Sequence, residues 1–225
     1  MDALAGRYQA VIDRYRLTSV DFDIEGVATA ELVSVDRRSK AIAKVQQAAR
    51  ADGRALQVSL TLPVLPSTLT PDGVAVVRSA RGNGVDVSVV NVMAMDYGSG
   101  AAPNPAGQMG TYAVQAATST RDQLRSLYPA RTDAQLWAMV GITPMIGQND
   151  IAGEVFTLAD ARQVTDFAVL RHWAAWPCGR PTVTTSAPTG PRPTSTTTAV
   201  ACSRPSTSSR PPWAATPADD GGQWA

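Results

Sequence analysis

The sequence predicts an α/β protein in which a parallel sheet is covered by helices. Two observations carry this. Between residues 1 and 168, short apolar runs alternate with longer segments of helical period. Those runs are apolar at nearly every position, as expected of strands buried on both faces. The size and composition allow it: 225 residues with 44% hydrophobic content can bury a sizeable core.

The elements follow in order. A helix over about 3–16 leads into a strand at Ser19–Glu25. A second helix over about 37–51 stops at Asp52-Gly53. The strand ALQVSLTLPV, a helix near 71–82 and a third strand, VDVSVVNVMAM, come next. A loop rich in Gly and Pro spans Gly98–Gly107, and a helix over about 110–126 follows it. LWAMVGITPMI predicts a fourth buried strand, with Trp137 near its start as a packing residue. A last helix begins at Thr157, with Asp160 placed to complete a capping box.

After Ala168 this order stops. The stretch from residue 169 to 225 holds nine of the 16 prolines and shows neither the helical nor the strand period. It predicts a disordered Pro/Ser/Thr-rich tail, either a linker or the product of a shifted reading frame.

Composition narrows the chemistry. The net charge is +1, so no charge excess favours nucleic acid or a membrane surface as partner. No apolar run is long enough to span a bilayer, and MDALAGRYQAVIDRY lacks the pattern of a secretory signal peptide. The single histidine, His172, and both cysteines, Cys178 and Cys202, fall in the tail. This argues against Ser-His-Asp catalysis and His/Cys metal centres, and leaves carboxylates, Tyr, Lys or a bound cofactor to do any chemistry.

The most informative segment is Leu17-Thr18-Ser19-Val20-Asp21-Phe22-Asp23-Ile24-Glu25-Gly26. Strand alternation puts Val20, Phe22 and Ile24 on one face and Asp21, Asp23 and Glu25 on the other. Stacked acids repel one another and resist desolvation. Three readings remain open. The acids face water on a half-exposed strand; they hold Mg²⁺ or Ca²⁺, although no second acidic cluster matches them; or they perform acid catalysis. In the last, coupled carboxylates share protons, and Glu25 at the strand's C-terminal end can protonate a glycosidic oxygen.

SVDFDIEG resembles the Asp-x-x-Asp-x-Asp-x-Glu signature of glycoside hydrolase family 18. LQVSLTLPVLP, VNVMAMDYG, and GITPMIGQND followed by EVFTLADA are similar, in order, to segments of its actinobacterial chitinase branch. The resemblance covers residues 3 to 168. It implies a partial (β/α)₈ TIM barrel, roughly strands 4 to 7 with their helices, as the domain at 1–168. It also implies retaining, substrate-assisted hydrolysis of β-1,4-linked N-acetylglucosamine polymers, with no cofactor and no metal. Chitin or N-acetylchitooligosaccharides are then the partners, and the full-length protein works outside the cell.

By the same resemblance Glu25 is the general acid, Asp23 orients the substrate acetamido group, and Asp21 tunes the pair. Asp96 is the substrate-binding aspartate, with Met95 where a tyrosine is usual and Tyr97 as its replacement. Met93 lines the pocket floor or is plain core. Gln148 and Asn149 bind sugar hydroxyls or simply belong to a solvated loop. Thr18 stands where the signature has its first aspartate. The strands that precede Ser19 in the family are missing, and so is the closing one. A frame shift after Arg171 permits a peptide resembling that closing strand. The expectation is a truncated, inactive product with two open sheet edges. A non-catalytic chitin-binding protein is the rival.

Overall fold

The computed structural model describes residues 2–171 and 199–201. In chain order the elements are α1 (Asp2–Tyr15), β1 (Ser19–Asp23), α2 (Val27–Ala30), α3 (Leu32–Ala51), β2 (Gln57–Leu65), β3 (Thr68–Leu69) and α4 (Pro71–Gly82). They continue with β4 (Val87–Ala94), α5 (Met109–Leu127), α6 (Asp133–Trp137), β5 (Val140–Pro144), β6 (Gly147–Gln148), β7 (Val155–Phe156), α7 (Leu158–Leu170) and β8 (Ala199–Ala201).

Strands β1, β2, β4 and β5 lie side by side in that order, all parallel. Each successive long strand joins the edge that the previous one left, with helices in every crossover. The order never reverses, which is how a βα barrel winds and how a doubly wound sheet does not. β3 folds back antiparallel on β2, and β8 adds three antiparallel residues to β1. β6 and β7 form a separate two-stranded hairpin beyond β5.

The pairing register fixes which residues share a face. Phe22 is level with Leu60, and Leu60 with Val90; Leu62 is level with Val92, and Val92 with Ile142. These side chains are buried and form the helix-facing core. Tyr8 of α1 meets Phe22 edge-to-face with ring centroids 5.2 Å apart. Helices α1, α3 and α4 pack in sequence, and α5 packs on α7.

Four departures from the sequence reading have local causes. β1 stops at Asp23, because Gly26 at φ 55° turns the chain just beyond it, although the Ile24 N–H still reaches Thr61 O at 2.9 Å. A short helix, α2, follows, and α3 starts at Leu32, five residues before the expected position. There the Glu31 carboxylate caps the N–H groups of Val33 at 3.2 Å and Ser34 at 2.7 Å. Trp137 does not open a strand. It closes α6, which begins at a Thr132–Gln135 capping box. Its ring is buried edge-to-face on Phe167 at 5.5 Å, with the Arg121 guanidinium over it at 4.9 Å. Finally, the β1 edge, expected to be open, is covered by β8, so among the described residues the β5 edge alone stays unpaired.

The Thr157–Asp160 capping box forms as expected, and its helix runs on to Leu170. His172, Cys178, Cys202 and most of the tail, with the frame-shift reading attached to it, lie outside the described residues.

Candidate active site

The opposite face of the sheet is polar at its centre. Asp21 is level with Ser59, Asp23 with Thr61, Thr61 with Asn91, and Asn91 with Gly141. The Ser59 hydroxyl makes a short hydrogen bond to Oδ1 of Asp21, and the Thr61 hydroxyl donates to Oδ2 at 2.7 Å. Nδ2 of Asn91 donates to Oγ1 of Thr61 at 3.0 Å and to Oγ1 of Thr143 at 2.7 Å. A chain of side-chain hydrogen bonds thus crosses all four parallel strands.

The two aspartates of the ladder differ in their surroundings. Burial raises the Asp21 carboxyl above the usual range, while the Ser59 and Thr61 hydroxyls work against that rise. Asp23 is half-buried and has no such donors; its Oδ1 is buried without a hydrogen-bond partner among the described residues. Burial first, then the charges of Glu25 and Asp21, push its carboxyl up to about 6. The protonated carboxyl is therefore most accessible at Asp23 within β1 itself. Glu25 lies just past the strand's C-terminal end and is exposed. Arranged this way, the ladder sets a hydrogen-bonded carboxyl at Asp21, one pushed up to about 6 at Asp23 and a solvent-facing acid at Glu25 in succession along one line.

The loop after β4 carries the other predicted residues. Met93 shares the polar face, half-buried, beside Thr143. Asp96 sits in the left-handed region at φ 51°, and its Oδ1 accepts the Ile151 N–H at 3.1 Å. Tyr97 is buried, with its ring edge-to-face on Tyr112 at 6.2 Å, so this ring is part of the packing between β4 and α5. Gln148 uses its amide on the carbonyls of Asn149, Ile151 and Glu154 at the β6–β7 hairpin. Asn149 is buried and donates to Met145 O at 2.8 Å. In this structure the side-chain nitrogens of Gln148 and Asn149 therefore hold the hairpin's turn. Met93 and Asp96 stay near the ladder's end of the sheet, whereas Tyr97 and Asn149 point into packing.

Sequence reasoning missed Ser59, Thr61, Asn91, Thr143 and Glu154. Ser59 and Thr61 could have been found as polar residues two positions apart in an apolar strand, and Asn91 and Thr143 as single polar residues inside apolar runs. Glu154 is fully buried, and its carboxylate accepts the N–H groups of Tyr97 at 3.0 Å and Gly98 at 2.7 Å. Nothing in the local sequence marks it.

Among the described residues no group of three or more His, Cys, Asp or Glu side chains is arranged to hold a metal ion, and no helix is long and apolar enough to cross a membrane. A cavity of about 480 Å³ lined by Asp13, Arg16, Leu17, Thr18, Arg54 and Ala55 opens at the N-terminal ends of β1 and β2, away from the acids.

Fold and site together define a class: an arc of a βα barrel with acidic side chains in a ladder up to the C-terminal end of one strand. The chain is similar to chitinases over most of its length. It is 42% identical over 176 residues to a probable bifunctional chitinase/lysozyme of Escherichia coli (strain K12) and to endochitinase 11 of Metarhizium anisopliae. Each match takes in 76% of this chain, but 20% and 34% of those proteins, so the chain spans about a fifth and about a third of their length. Among solved structures it matches the catalytic domain of a hyperthermophilic chitinase from Pyrococcus furiosus, with TM-score 0.64 and 34% identity, over 76% of this chain and 52% of that one. Catalytic-site mutants of active domain 2 of a Pyrococcus furiosus chitinase, complexed with chito-oligosaccharides, match with TM-score 0.65 and 34% identity. No protein-family model matches the chain.

Proposed function

We propose that residues 1–168 carry part of a chitinase catalytic barrel of the actinobacterial type, which hydrolyses β-1,4-linked N-acetylglucosamine polymers with retention of configuration. The observation that supports this best is the ladder on β1. Asp21 is held by two hydroxyl donors, Asp23 is pushed up to about 6 beside a buried unpartnered oxygen, and Glu25 is open to solvent above them.

In this mechanism Glu25 gives its proton to the glycosidic oxygen as the C1–O bond breaks. The carbonyl oxygen of the sugar's own acetamido group bonds to C1, forming a positively charged oxazolinium ring. Asp23 receives the acetamido N–H and, once ionised, offsets that charge. Water then attacks C1, the ionised Glu25 takes its proton, and the ring opens with the original configuration restored. Asp96, and with it Met93, borders the acetamido group, whereas the side-chain nitrogens of Gln148 and Asn149 are engaged in the hairpin turn and the Tyr97 ring packs on Tyr112. A polymeric substrate places the full-length protein outside the cell.

The test is hydrolysis of a fluorogenic N-acetylchitooligosaccharide by the purified chain beside its Glu25→Gln variant. Any turnover that the parent chain has is expected to fall by roughly 10²-fold or more in the variant. Turnover that survives the change removes Glu25 from the mechanism. Retention on chitin with no release of soluble sugar by either protein replaces this reading with that of a binding protein.

A further inference from the structure

We propose that Asn91 is a positioning residue for the carboxylate ladder: by donating to Thr61 it obliges the Thr61 hydroxyl to give its own proton to Asp21, which keeps Asp21 ionised and leaves the shared proton to Asp23. The inference deepens the hydrolase reading and rests on it for its catalytic meaning.

The direction of the chain follows from what each group can do. An amide nitrogen only donates, and a threonine hydroxyl has one proton. Since Oγ1 of Thr61 receives Nδ2 of Asn91 at 3.0 Å, its proton is free for Oδ2 of Asp21 at 2.7 Å. Ser59 occupies Oδ1. Both Asp21 oxygens are then acceptors, and these two bonds favour its ionised form over its protonated one. The amide cannot turn over cheaply. Its oxygen would then face Thr61 and Thr143 and require a proton from each, although the one on Thr61 is already used.

The place of Asn91 is shaped for it. A Cβ on Gly141 would lie 2.8 Å from Oδ1 of Asn91, so only glycine on the neighbouring strand leaves the amide its room. Thr143 accepts the second N–H and fixes the ring of contacts from the β5 side. On this face β1 presents Asp21 and Asp23, with Glu25 just beyond. β2 presents Ser59, Thr61 and Pro63; β4 presents Val89, Asn91 and Met93; β5 presents Gly141 and Thr143. Asp21 and Asp23, with Glu25 just past β1, are therefore the only charged side chains that these four strands and their ends bring to it. Asp96, past the end of β4, is turned to the Ile151 N–H. No cation faces the ladder from the described residues of these four strands, and the order of hydroxyl and amide protons then decides which aspartate carries the negative charge.

The experiment follows the side-chain carboxyl carbons of ¹³C-labelled aspartate by NMR from pH 3 to 9. It compares the parent chain, Asn91→Ala, Thr61→Val and the double variant, with the amide spectrum confirming the fold of each. If the Thr61 proton is no longer directed, Asp21 takes up the shared proton more readily and Asp23 releases its own at lower pH. The Asp23 midpoint should fall by about half a unit or more in each single variant, and the double variant should match Thr61→Val alone. An unchanged midpoint in Asn91→Ala, or effects of the two changes that simply add, overturns the relay. Should Asn91→Ala not fold, Asn91→Ser replaces it, and an unchanged midpoint in the isosteric Thr61→Val alone is equally decisive. The titration needs no turnover, so failure of the relay and failure of the hydrolase reading are separate results.

Discussion

The backbone N–H of Gly98 donates to Oε1 of Glu154 at 2.7 Å, and this bond joins the loop after β4 to the residue just before β7. The neighbouring N–H of Tyr97 binds the other oxygen of the same carboxylate at 3.0 Å. Two consecutive amides on one buried carboxylate hold the left-handed turn at Asp96 and Gly98 in place. The Asp96 carboxylate answers by accepting from Ile151, so hairpin and loop are fastened in both directions.

Glu154→Ala should therefore destabilise the chain by about 3 kcal/mol, because two buried N–H groups lose their acceptor. Glu154→Gln, which still accepts through one oxygen, should lose less. Urea unfolding followed by tryptophan fluorescence measures both. Equal stability of Glu154→Ala and parent would mean that water replaces the carboxylate.

Asp23 gives the chain a specific pH dependence. Its folded-state carboxyl is raised to about 6 from an ordinary 3.8. Below the lower value both folded and unfolded chains carry the proton, and the group is neutral to stability. Between the two values the unfolded chain releases its proton first, so stability declines as pH rises and the full penalty is present above about 6. Asp23→Asn removes that penalty. It should be more stable than the parent by about 1–2 kcal/mol at pH 8, after allowance for screening of a half-exposed group, and equal to it near pH 4. Thermal melts at both values check the sign.

Asp160 works the other way. Its burial acts to raise the carboxyl, but hydrogen bonds from the Thr157 hydroxyl and backbone and from the Gly110 N–H outweigh this and lower it. Its stabilisation is present above the ordinary carboxylate range and is lost as pH falls through the lowered folded value. The difference in melting temperature between parent and Asp160→Asn should shrink steadily below pH 4. A difference that grows on acidification would contradict the assignment.

Gly110 marks where α5 and α7 touch. A Cβ there would stand 2.8 Å from the backbone Cα of Asp160 and 2.6 Å from Oε1 of Gln163. Gln163 can swing aside, but the backbone cannot, so Gly110→Ala should cost about 2 kcal/mol by parting the two helices. The same change at Gly82, whose added Cβ meets nothing within 4 Å, should leave stability within about 0.5 kcal/mol or raise it slightly. Chemical denaturation of the two variants side by side separates close packing from a general glycine effect.

The sequence by itself determined the order of strands and helices, the shared face of Asp21 and Asp23, and the Thr157–Asp160 cap. All of these depend on periods of two or 3.6 residues or on contacts three residues apart, and such information is local. It could not tell that Trp137 ends a helix, because an apolar run of that length suits either state until Thr132 and Gln135 are seen to cap one another. Nor could it pair Asp21 with Thr61 across 40 residues, Asn91 with Thr143 across 52, or Glu154 with Gly98 across 56. Those partnerships exist only once the parallel register places particular residues level with each other. What each aspartate of the ladder is bound to depends on what the neighbouring strand presents to it, so the tertiary structure alone decided how the surroundings of Asp21 and Asp23 differ.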